Sequence, residues 1–402
     1  MDRRTFLAAS GLTVAGALSG CSAPSDDQGV DGATPTDSGQ AGSSETAMTV
    51  ETVVDGLESP WSVTPLPEGS QVLVTERVGR VVLVDSADGT VTPVSGAPSV
   101  YASGQGGMLD AALHPGFPDP AWVYLTYSKA NNSGESATHL GRGRLNVADA
   151  RFEGFERLHV AEPFVDSDGH FGSRVVFGPD ESLYMTVGDR QFKDFGPDHV
   201  AQDRTNELGT TLRLTPSGEI PDSNPFVEDP DAVDSIFSYG HRNAQGMTVH
   251  PDTGAIWQTE FGEQDGDEIN IVERGGNYGW PVADEGCTYG SGDPIGVSHA
   301  DRDDVVAPVY SWDCGSGGFP PSGATFYTGD AFPEWNGDLL VGGLASRYLA
   351  RFTVDGRTVE EATPLLEDRG WRIRDVAVAP DTGHVLAAID APDAPIARLR
   401  PA

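Results

Sequence analysis

The sequence predicts an all-β fold, a six-bladed β-propeller with long inter-strand loops. Six times along the chain, a short apolar run meets a turn of the Pro-Asp, Glu or Gly type and is followed by a second apolar run. Each such segment predicts two antiparallel strands, and repetition at a spacing of tens of residues indicates a repeat architecture. No long stretch carries helical periodicity. The six segments are 63–76, 111–128, 175–189, 247–262, 324–343 and 376–390.

The N-terminal residues predict an export signal and a linker. Arg3 and Arg4 precede a short apolar run that ends at Cys21, a pattern typical of a Tat signal. The letters LSGC before and including Cys21 resemble a lipobox, although an ordinary Tat signal with a chance cysteine remains open. The predicted segments are a Tat-type lipoprotein signal peptide over 1–21, a disordered tether over 22–47 and the propeller domain over 48–402.

This signal predicts a protein exported by Tat and lipid-anchored to the outer face of the cell membrane. The only membrane contact would be the lipid on Cys21. Two other cysteines then remain in an oxidising compartment, Cys287 and Cys314, and we expect them to form a disulfide. Two free buried thiols are the alternative.

The charge balance is strongly acidic. The net charge is −36, with 61 acidic residues against 25 basic ones, and Lys129 and Lys193 are the only lysines. Such a charge costs self-repulsion unless salt screens it, so it favours a halophilic surface. An ordinary acidic soluble protein is the alternative. The same charge makes nucleic acid an improbable partner.

Two polar, glycine-rich segments between the hairpins carry candidate catalytic groups. His170 lies in DGHFGSR (168–174), where glycines leave it accessible and an ordinary pKa near neutrality suits a general base. A histidine that only bonds a neighbouring blade is the alternative. Arg242 and Asn243 in YGHRNAQG (239–246) offer a cation and an amide for a polar planar ligand. The arginine could instead be paired with one of the many carboxylates.

Three further segments offer ligand or metal contacts. The glycines of GQGGMLD (104–110) allow a backbone to approach a ligand closely. The run GEQDGDEIN (262–270) gathers oxygen donors that suit Ca²⁺ without the spacing of an EF-hand, and chance clustering in so acidic a chain is the alternative. Arg372 and Arg374 lie two residues apart, so on a strand they point the same way and could clamp an anionic ligand.

Taken in order, these segments resemble the soluble aldose sugar dehydrogenases, relatives of soluble glucose dehydrogenase that depend on pyrroloquinoline quinone (PQQ). The likeness spans roughly residues 50–400, and the ordered set is more specific than any single motif. The matching motifs are PWSV (60–63), TERVGR (75–80), GQGGMLDAALHPGF (104–117), HFGSRVVFGPD (170–180), AQD (201–203), GEIPDSNPF (218–226), SYGHRNAQGM (238–247), GDEIN (266–270), GGNYGWP (275–281) and RIRDV (372–376).

The resemblance implies oxidation of an aldose sugar at C1 to the lactone, with hydride transfer to PQQ. His170 matches the base that takes the proton of the C1 hydroxyl, and Arg242 matches the cation that stabilises developing negative charge. Four other positions match PQQ contacts, namely Gln105, Asn243, Arg372 and Arg374. The partners implied are a small-molecule sugar and an electron acceptor that the sequence does not identify.

The resemblance also implies calcium. The backbone carbonyls of Gly262 and Glu263 match those that hold the cofactor calcium, and Asp267 with Glu268 matches a further calcium-associated pair. The chain departs from the family where Ala345 stands in place of a lysine that assists PQQ binding, and Arg347 is the candidate replacement. Gly169 stands where the family often has a carboxylate or amide, and DCGSGGF (313–319) does not align clearly.

Two other functions are compatible with a propeller. A calcium-dependent lactonase or esterase would gather carboxylates and amides around a central metal, and would have no use for the arginine pair at 372 and 374. A non-catalytic propeller that binds a partner on its face would not need His170 and Arg242 in polar loops. Dye reduction by the PQQ- and Ca²⁺-loaded protein with aldoses separates the three.

Overall fold

Six four-stranded antiparallel sheets form the part of the chain that the structure, a computed structural model, describes: residues 47–402. Each predicted hairpin forms the first two strands of one sheet, so the six-bladed propeller is confirmed. The predicted signal peptide, Cys21 and the tether up to residue 46 lie outside the described residues. Between residues 47 and 402, no helix is long and apolar enough to cross a bilayer.

Blades 1 to 5 use consecutive strands, and blade 6 combines β22–β24 with β1. The strands are β1 Met48–Leu57, β2 Pro60–Pro65, β3 Gln71–Glu76, β4 Arg80–Asp85, β5 Val91–Pro93, β6 Met108–Leu113, β7 Trp122–Ala130, β8 Ser136–Asn146, β9 Arg151–Val160, β10 Val175–Phe177, β11 Leu183–Val187, β12 Thr210–Leu214, β13 Ile236–Tyr239, β14 Ala244–Val249, β15 Ile256–Glu260, β16 Asp267–Ile271, β17 Tyr310–Trp312, β18 Pro321–Phe326, β19 Leu339–Gly343, β20 Leu349–Asp355, β21 Thr358–Glu361, β22 Ile373–Val378, β23 Val385–Ile389 and β24 Ala394–Pro401. Short 3₁₀ turns cover Val200–Gln202, His299–Asp301, Pro333–Trp335 and Glu367–Arg369.

The ring is closed by a strand from the start of the domain. β1 pairs antiparallel with β24, with Met48 opposite Pro401 and Leu57 opposite Ala394. The first strands of the six blades contact one another in a closed circle, in the order β2, β6, β10, β14, β18, β22 and back to β2. These six strands therefore surround the central axis.

Apolar clusters fill the seams between adjacent blades. Between blades 5 and 6, Phe332 stacks on Trp335 with ring centroids 4.0 Å apart. Between blades 4 and 5, Trp257 meets Phe326 edge to face at 5.4 Å. Burying one large apolar side chain contributes about 1.5–3 kcal/mol, so the packing between blades stabilises the closed ring.

A buried ion cluster lies near the central axis. Arg174 Nη1 is 3.0 Å from Asp110 Oδ1 and 3.0 Å from Asp375 Oδ1, and its guanidinium stacks 4.2 Å from the Trp61 ring. Burial raises the pKa of Asp110 to about 6, and the nearby Asp375 acts in the same direction, although Arg174 opposes it. One guanidinium thus links residues of blades 1, 2 and 6 to the loop that precedes blade 3.

Candidate active site

Two adjoining cavities lie at the end of the propeller where first strands begin and second strands end. Because the two strands of a hairpin are antiparallel, these two points lie at the same end of every blade. The smaller cavity measures about 340 Å³, and the predicted residues in its wall are Gln105, Arg372 and Arg374. The larger measures about 850 Å³, and the predicted residues in its wall are His170, Arg242, Gly262, Glu263 and Asp267. Phe261, Pro320 and Ala345 belong to both walls.

The imidazole of His170 is held by a carboxylate that the sequence analysis did not identify. Asp189 Oδ1 lies 2.6 Å from His170 Nδ1, and both side chains are buried. The indole N–H of Trp280 donates to the other Asp189 oxygen at 2.9 Å. An ionised Asp189 accepts the Nδ1 proton, which leaves Nε2 of His170 as the basic nitrogen for the cavity.

The backbone around His170 is tightly constrained. His170 has a φ of 47°, in the left-handed region that residues with a side chain seldom adopt. Its N–H donates to Gln105 Oε1 at 2.8 Å, and the N–H of Gly172 donates to Asn243 Oδ1 at 3.1 Å. A Cβ on Gly188 would lie 2.2 Å from the His170 carbonyl oxygen, so glycine is required there. Gln105 and Asn243 therefore fix the loop that presents His170.

The protonation states suit a general base. Burial lowers the pKa of His170, and the charge on Arg242 acts in the same direction, whereas Asp189 opposes it. Burial opposes ionisation of Asp189, yet the facing His170 and the nearby Arg242 hold the pKa of that carboxyl below its usual range. At neutral pH His170 is therefore neutral and Asp189 is ionised.

Arg242 enters the larger cavity and pairs with Glu263. The Arg242 Nη2 to Glu263 Oε2 distance is 2.5 Å, and Nη1 donates to the Phe261 carbonyl at 3.1 Å. Lys193 Nζ lies 2.5 Å from the same carboxylate, so Glu263 is shared by two cations. Lys193 is one of the two lysines in the chain, and its place in the site was not predicted. Two cations against one carboxylate leave net positive charge at this point of the wall.

Arg372 and Arg374 lie together in the smaller cavity and share Asp390. Their Nη2 atoms are 3.0 and 2.9 Å from Asp390 Oδ2. Arg374 also donates to Gln245 Oε1 at 2.7 Å, and its side chain is 10% exposed against 41% for Arg372. Asp390 therefore aligns two guanidinium groups along one wall, the arrangement that the two-residue spacing predicted.

Three buried donors of the site lack an acceptor. Within residues 47–402, Nε of Arg242, Nδ2 of Asn243 and Nε of Arg374 have no hydrogen-bond partner. Arg242 and Arg374 are in the cavity walls, whereas Asn243 is in neither. An unpaired buried donor costs about 1–3 kcal/mol, so the two arginine donors favour a ligand rich in acceptor atoms. PQQ, a planar quinone with several carboxylates, fits this donor set.

Oxygen ligands line the larger cavity where the calcium prediction falls. Gly262, Glu263 and Asp267 are in its wall. The Asp267 carboxylate accepts the Gly262 N–H at 3.0 Å and the Phe319 N–H at 2.7 Å, and burial raises its pKa to about 6. Asp267 therefore shapes the loop that carries Gly262 and Glu263, whose backbone carbonyls are the predicted ligands and are of the kind that Ca²⁺ accepts. The Glu263 carboxylate is already engaged by Arg242 and Lys193.

Glu268 lies elsewhere, and the predicted Asp267–Glu268 pair is divided. Adjacent residues of β16 point to opposite faces, so only Asp267 reaches the cavity. Glu268 Oε2 accepts from Asn270 Nδ2 at 2.9 Å, and Oε1 lies 3.8 Å from His299 Nε2. Burial, with the nearby Glu260, raises the pKa of Glu268 well above its usual range.

Arg347 also lies away from the cavities. Ala345 is in both walls, as its alignment with the family lysine predicts, but Arg347 is in neither. Arg347 has a φ of 63°, and this left-handed turn two residues beyond Ala345 leaves its side chain exposed. The structure therefore does not bring the predicted replacement to the cofactor side.

The unaligned loop 313–319 forms a wall of the larger cavity. Gly315, Gly317 and Gly318 line it, and the Gly315 N–H donates to Asp265 Oδ2 at 2.6 Å. Cys314 is disulfide-bonded to Cys287, with Cα atoms 5.5 Å apart. The disulfide links this loop to the segment that carries Tyr289, an exposed aromatic residue on the same cavity.

Fold and site together show a propeller that carries a buried histidine and a group of arginines in two adjoining cavities at one end. The family model described as Glucose / Sorbosone dehydrogenase matches residues 57–398. The chain belongs to this family and is an oxidoreductase.

Similar proteins cover most of the chain. It is 36% identical over 358 residues to aldose sugar dehydrogenase YliI of Escherichia coli K12, across 88% of this chain and 93% of that protein. It is 28% identical to quinoprotein glucose dehydrogenase B of Acinetobacter calcoaceticus, across 83% of each. The apo-form structure of the soluble E. coli aldose sugar dehydrogenase matches with a TM-score of 0.82 at 35% identity, covering 88% of this chain and 100% of that one. The PQQ-bound aldose sugar dehydrogenase of Streptomyces coelicolor gives 0.71 at 28% identity, covering 89% and 99%.

Proposed function

We propose that this enzyme oxidises aldose sugars at C1 to the lactone, with PQQ and Ca²⁺ as cofactors. The observation that carries the proposal is His170, a buried neutral imidazole whose Nδ1 is 2.6 Å from Asp189 and whose Nε2 is left for the cavity that also holds Arg242. PQQ, when bound, supplies the quinone carbon that accepts hydride from C1.

The residues of the chain have separate tasks in this reaction. Nε2 of His170 takes the proton of the C1 hydroxyl while the carbon–oxygen bond becomes a carbonyl, and Asp189 stabilises the imidazolium that forms. Arg242 provides positive charge in the same cavity, where negative charge develops on the acceptor. The unpaired donors of Arg242 and Arg374, both in the cavity walls, support binding of an acceptor-rich cofactor.

Calcium is proposed at the carbonyls of Gly262 and Glu263, beside the carboxylates of the larger cavity. The relatives named for sugar oxidation and the PQQ-bound relative support the same chemistry. The lactonase alternative gains no support from the centre of the ring, because the carboxylates of Asp110 and Asp375 are paired with Arg174.

The test is reconstitution of the purified domain with PQQ and Ca²⁺ in molar KCl, followed by dye reduction with a panel of aldoses and detection of the lactone. We expect turnover by the wild type and a loss of about 10²–10⁴-fold in His170→Ala with PQQ binding retained. Bound PQQ with no sugar oxidation, or His170→Ala activity within a few-fold of wild type, would contradict the assignment.

We also propose that the protein is exported by Tat and anchored by a lipid on Cys21. The support is the sequence pattern of residues 1–21 alone. Substituting Arg3 and Arg4 by Lys should leave the protein in the cytoplasm, and Cys21→Ala should release an exported protein into the medium. Export that does not depend on the twin arginines would exclude the Tat route.

A further inference from the structure

A third arginine, Arg77, lies in the wall of the smaller cavity, far in sequence from the predicted pair Arg372 and Arg374. Arg77 follows β3, the second strand of blade 1, at the same end of the propeller as Asp390 after β23. Its backbone is fixed on both sides: its N–H donates to the Ser59 carbonyl at 3.0 Å and its carbonyl accepts the Met108 N–H at 3.2 Å. The side chain of Arg77 therefore extends from a backbone that hydrogen bonds hold on both sides.

The smaller cavity has an excess of positive charge. Its charged wall residues are Arg77, Arg372, Arg374 and Asp390. Asp390 is shared by Arg372 and Arg374, whereas Arg77 has no carboxylate partner in this wall. Nη1 of Arg77 donates to the Gly104 carbonyl, and a guanidinium has five N–H donors, so further donors remain for a ligand.

The cavity also lacks the cation that the family resemblance leads one to expect. Ala345 contributes only a methyl group to the wall, and Arg347 lies outside it. A polycarboxylate ligand in this cavity would therefore meet two guanidinium groups from blade 6 and would need its remaining negative charge balanced from another blade. Arg77 is the cation of this wall that comes from a different blade.

We propose that Arg77 binds a carboxylate of the cofactor and supplies the positive charge that Ala345 does not. This inference rests on the proposed PQQ-dependent function and assigns to it a further binding residue. The competing explanation is that Arg77 only ties the loop at Gly104, which carries Gln105. The two explanations differ in whether the charge on the ligand matters.

The test compares PQQ with its trimethyl ester, which keeps the ring system and removes the carboxylate charges. Dissociation constants are measured by quenching of tryptophan fluorescence in molar KCl, since Trp61 lines the cavity. A charge-assisted hydrogen bond is worth about 1.5–3 kcal/mol, so Arg77→Met should weaken PQQ binding by about 10- to 100-fold. The same variant should bind the ester within about three-fold of wild type, because no charge is left to pair.

The controls separate the outcomes. Arg77→Lys, which keeps the charge, should recover most of the PQQ affinity. Arg77→Gln, which is polar but uncharged, replaces Arg77→Met if that variant does not fold, and it should show the same selective loss for PQQ. Arg347→Met makes the same charge change outside the cavity and should leave both affinities unchanged. If Arg77→Met lost affinity equally for PQQ and for the ester, Arg77 would only hold the loop at Gly104, and the proposal would be wrong. An unchanged PQQ affinity in Arg77→Met would also overturn it. So would a loss of PQQ affinity in Arg347→Met instead. Failure of the wild type to bind PQQ would overturn the proposed function as well.

Discussion

Asp189 is 19 residues from His170 in sequence, yet its carboxylate lies 2.6 Å from His170 Nδ1. His170 precedes β10 and Asp189 follows β11, and the antiparallel return of this hairpin brings both residues to the same end of blade 3. The proposed base and the carboxylate that holds it are therefore supplied by one hairpin.

Replacing Asp189 by Asn should lower kcat about 10²-fold or more and leave PQQ affinity nearly unchanged. The amide removes the charge that stabilises the imidazolium and no longer enforces the Nδ1–H tautomer. Steady-state kinetics at saturating PQQ give the rate, and fluorescence quenching gives the affinity. A variant that loses both in parallel would show that Asp189 supports the loop rather than the base.

Truncating Arg374 should weaken PQQ binding more than truncating Arg372. Arg374 is the more buried of the two and also bonds Gln245, so its charge is less screened by water. We expect a loss of about 10- to 100-fold for Arg374→Ala and a smaller one for Arg372→Ala, with turnover at saturating cofactor less affected. Equal and negligible losses would show that the pair serves only to bind Asp390.

Asp284 should make the folded state less stable as the pH rises. Burial raises the pKa of Asp284 to about 8, so its contribution to stability is present below about pH 4 and is lost as the pH rises toward 8. Asp284→Asn cannot ionise and should flatten this decline. Thermal melting in molar KCl with a chelator, at pH 5 and pH 8.5, measures both proteins, and parallel pH dependences would contradict the prediction.

Stability should rise with salt into the molar range. The net charge of −36 makes the folded chain repel itself, and at 1 M salt the Debye length falls to about 3 Å. We expect the melting temperature to increase steadily from dilute buffer to multimolar KCl. A melting temperature that does not change with KCl concentration would contradict the prediction of a halophilic surface. It would not bear on the proposed enzymatic activity.

Reducing the disulfide between Cys287 and Cys314 should destabilise the domain and raise KM for the sugar. The bridge closes a segment of 27 residues, which is worth about 3–4 kcal/mol in the chain-entropy model, and it holds a wall of the larger cavity. Mass spectrometry after alkylation without reduction shows whether the mature protein carries it. The double variant Cys287→Ser/Cys314→Ser gives the kinetics, and an unchanged KM would restrict the bridge to a stabilising role.

The fold could be predicted because its strongest signal is local. Each blade begins with two short strands around a tight turn, and the turn residues are visible in the sequence. The outer strands have no comparable signal: β5 is three exposed residues, and β9 has four charged residues among its ten and only one that is buried. Pairing of β1 with β24 joins the two ends of the domain and has no local signal at all.

The site could be predicted in part, and three of the omitted residues have a similar position in their blades. Predicted residues such as His170, Arg242 and Arg374 lie at or just before the first strand of a blade. Asp189, Asp390 and Arg77 lie just after the second strand, where hairpin geometry makes them neighbours of the first set. Their roles depend on contacts between separate loops, but their positions could have been found by examining the first two residues after each second strand.

The pairing of β1 with β24 has a consequence for the order in which the protein is made. The ribosome delivers the first strand of the domain long before the three strands that it completes, so blade 6 stays unfinished, and both of its neighbours keep an uncovered apolar face, until β24 has been made. An unpaired strand such as β1 at this stage can pair with a strand of another chain. Export only after β24 has paired with β1, as the proposed Tat route would allow, fits that order of synthesis.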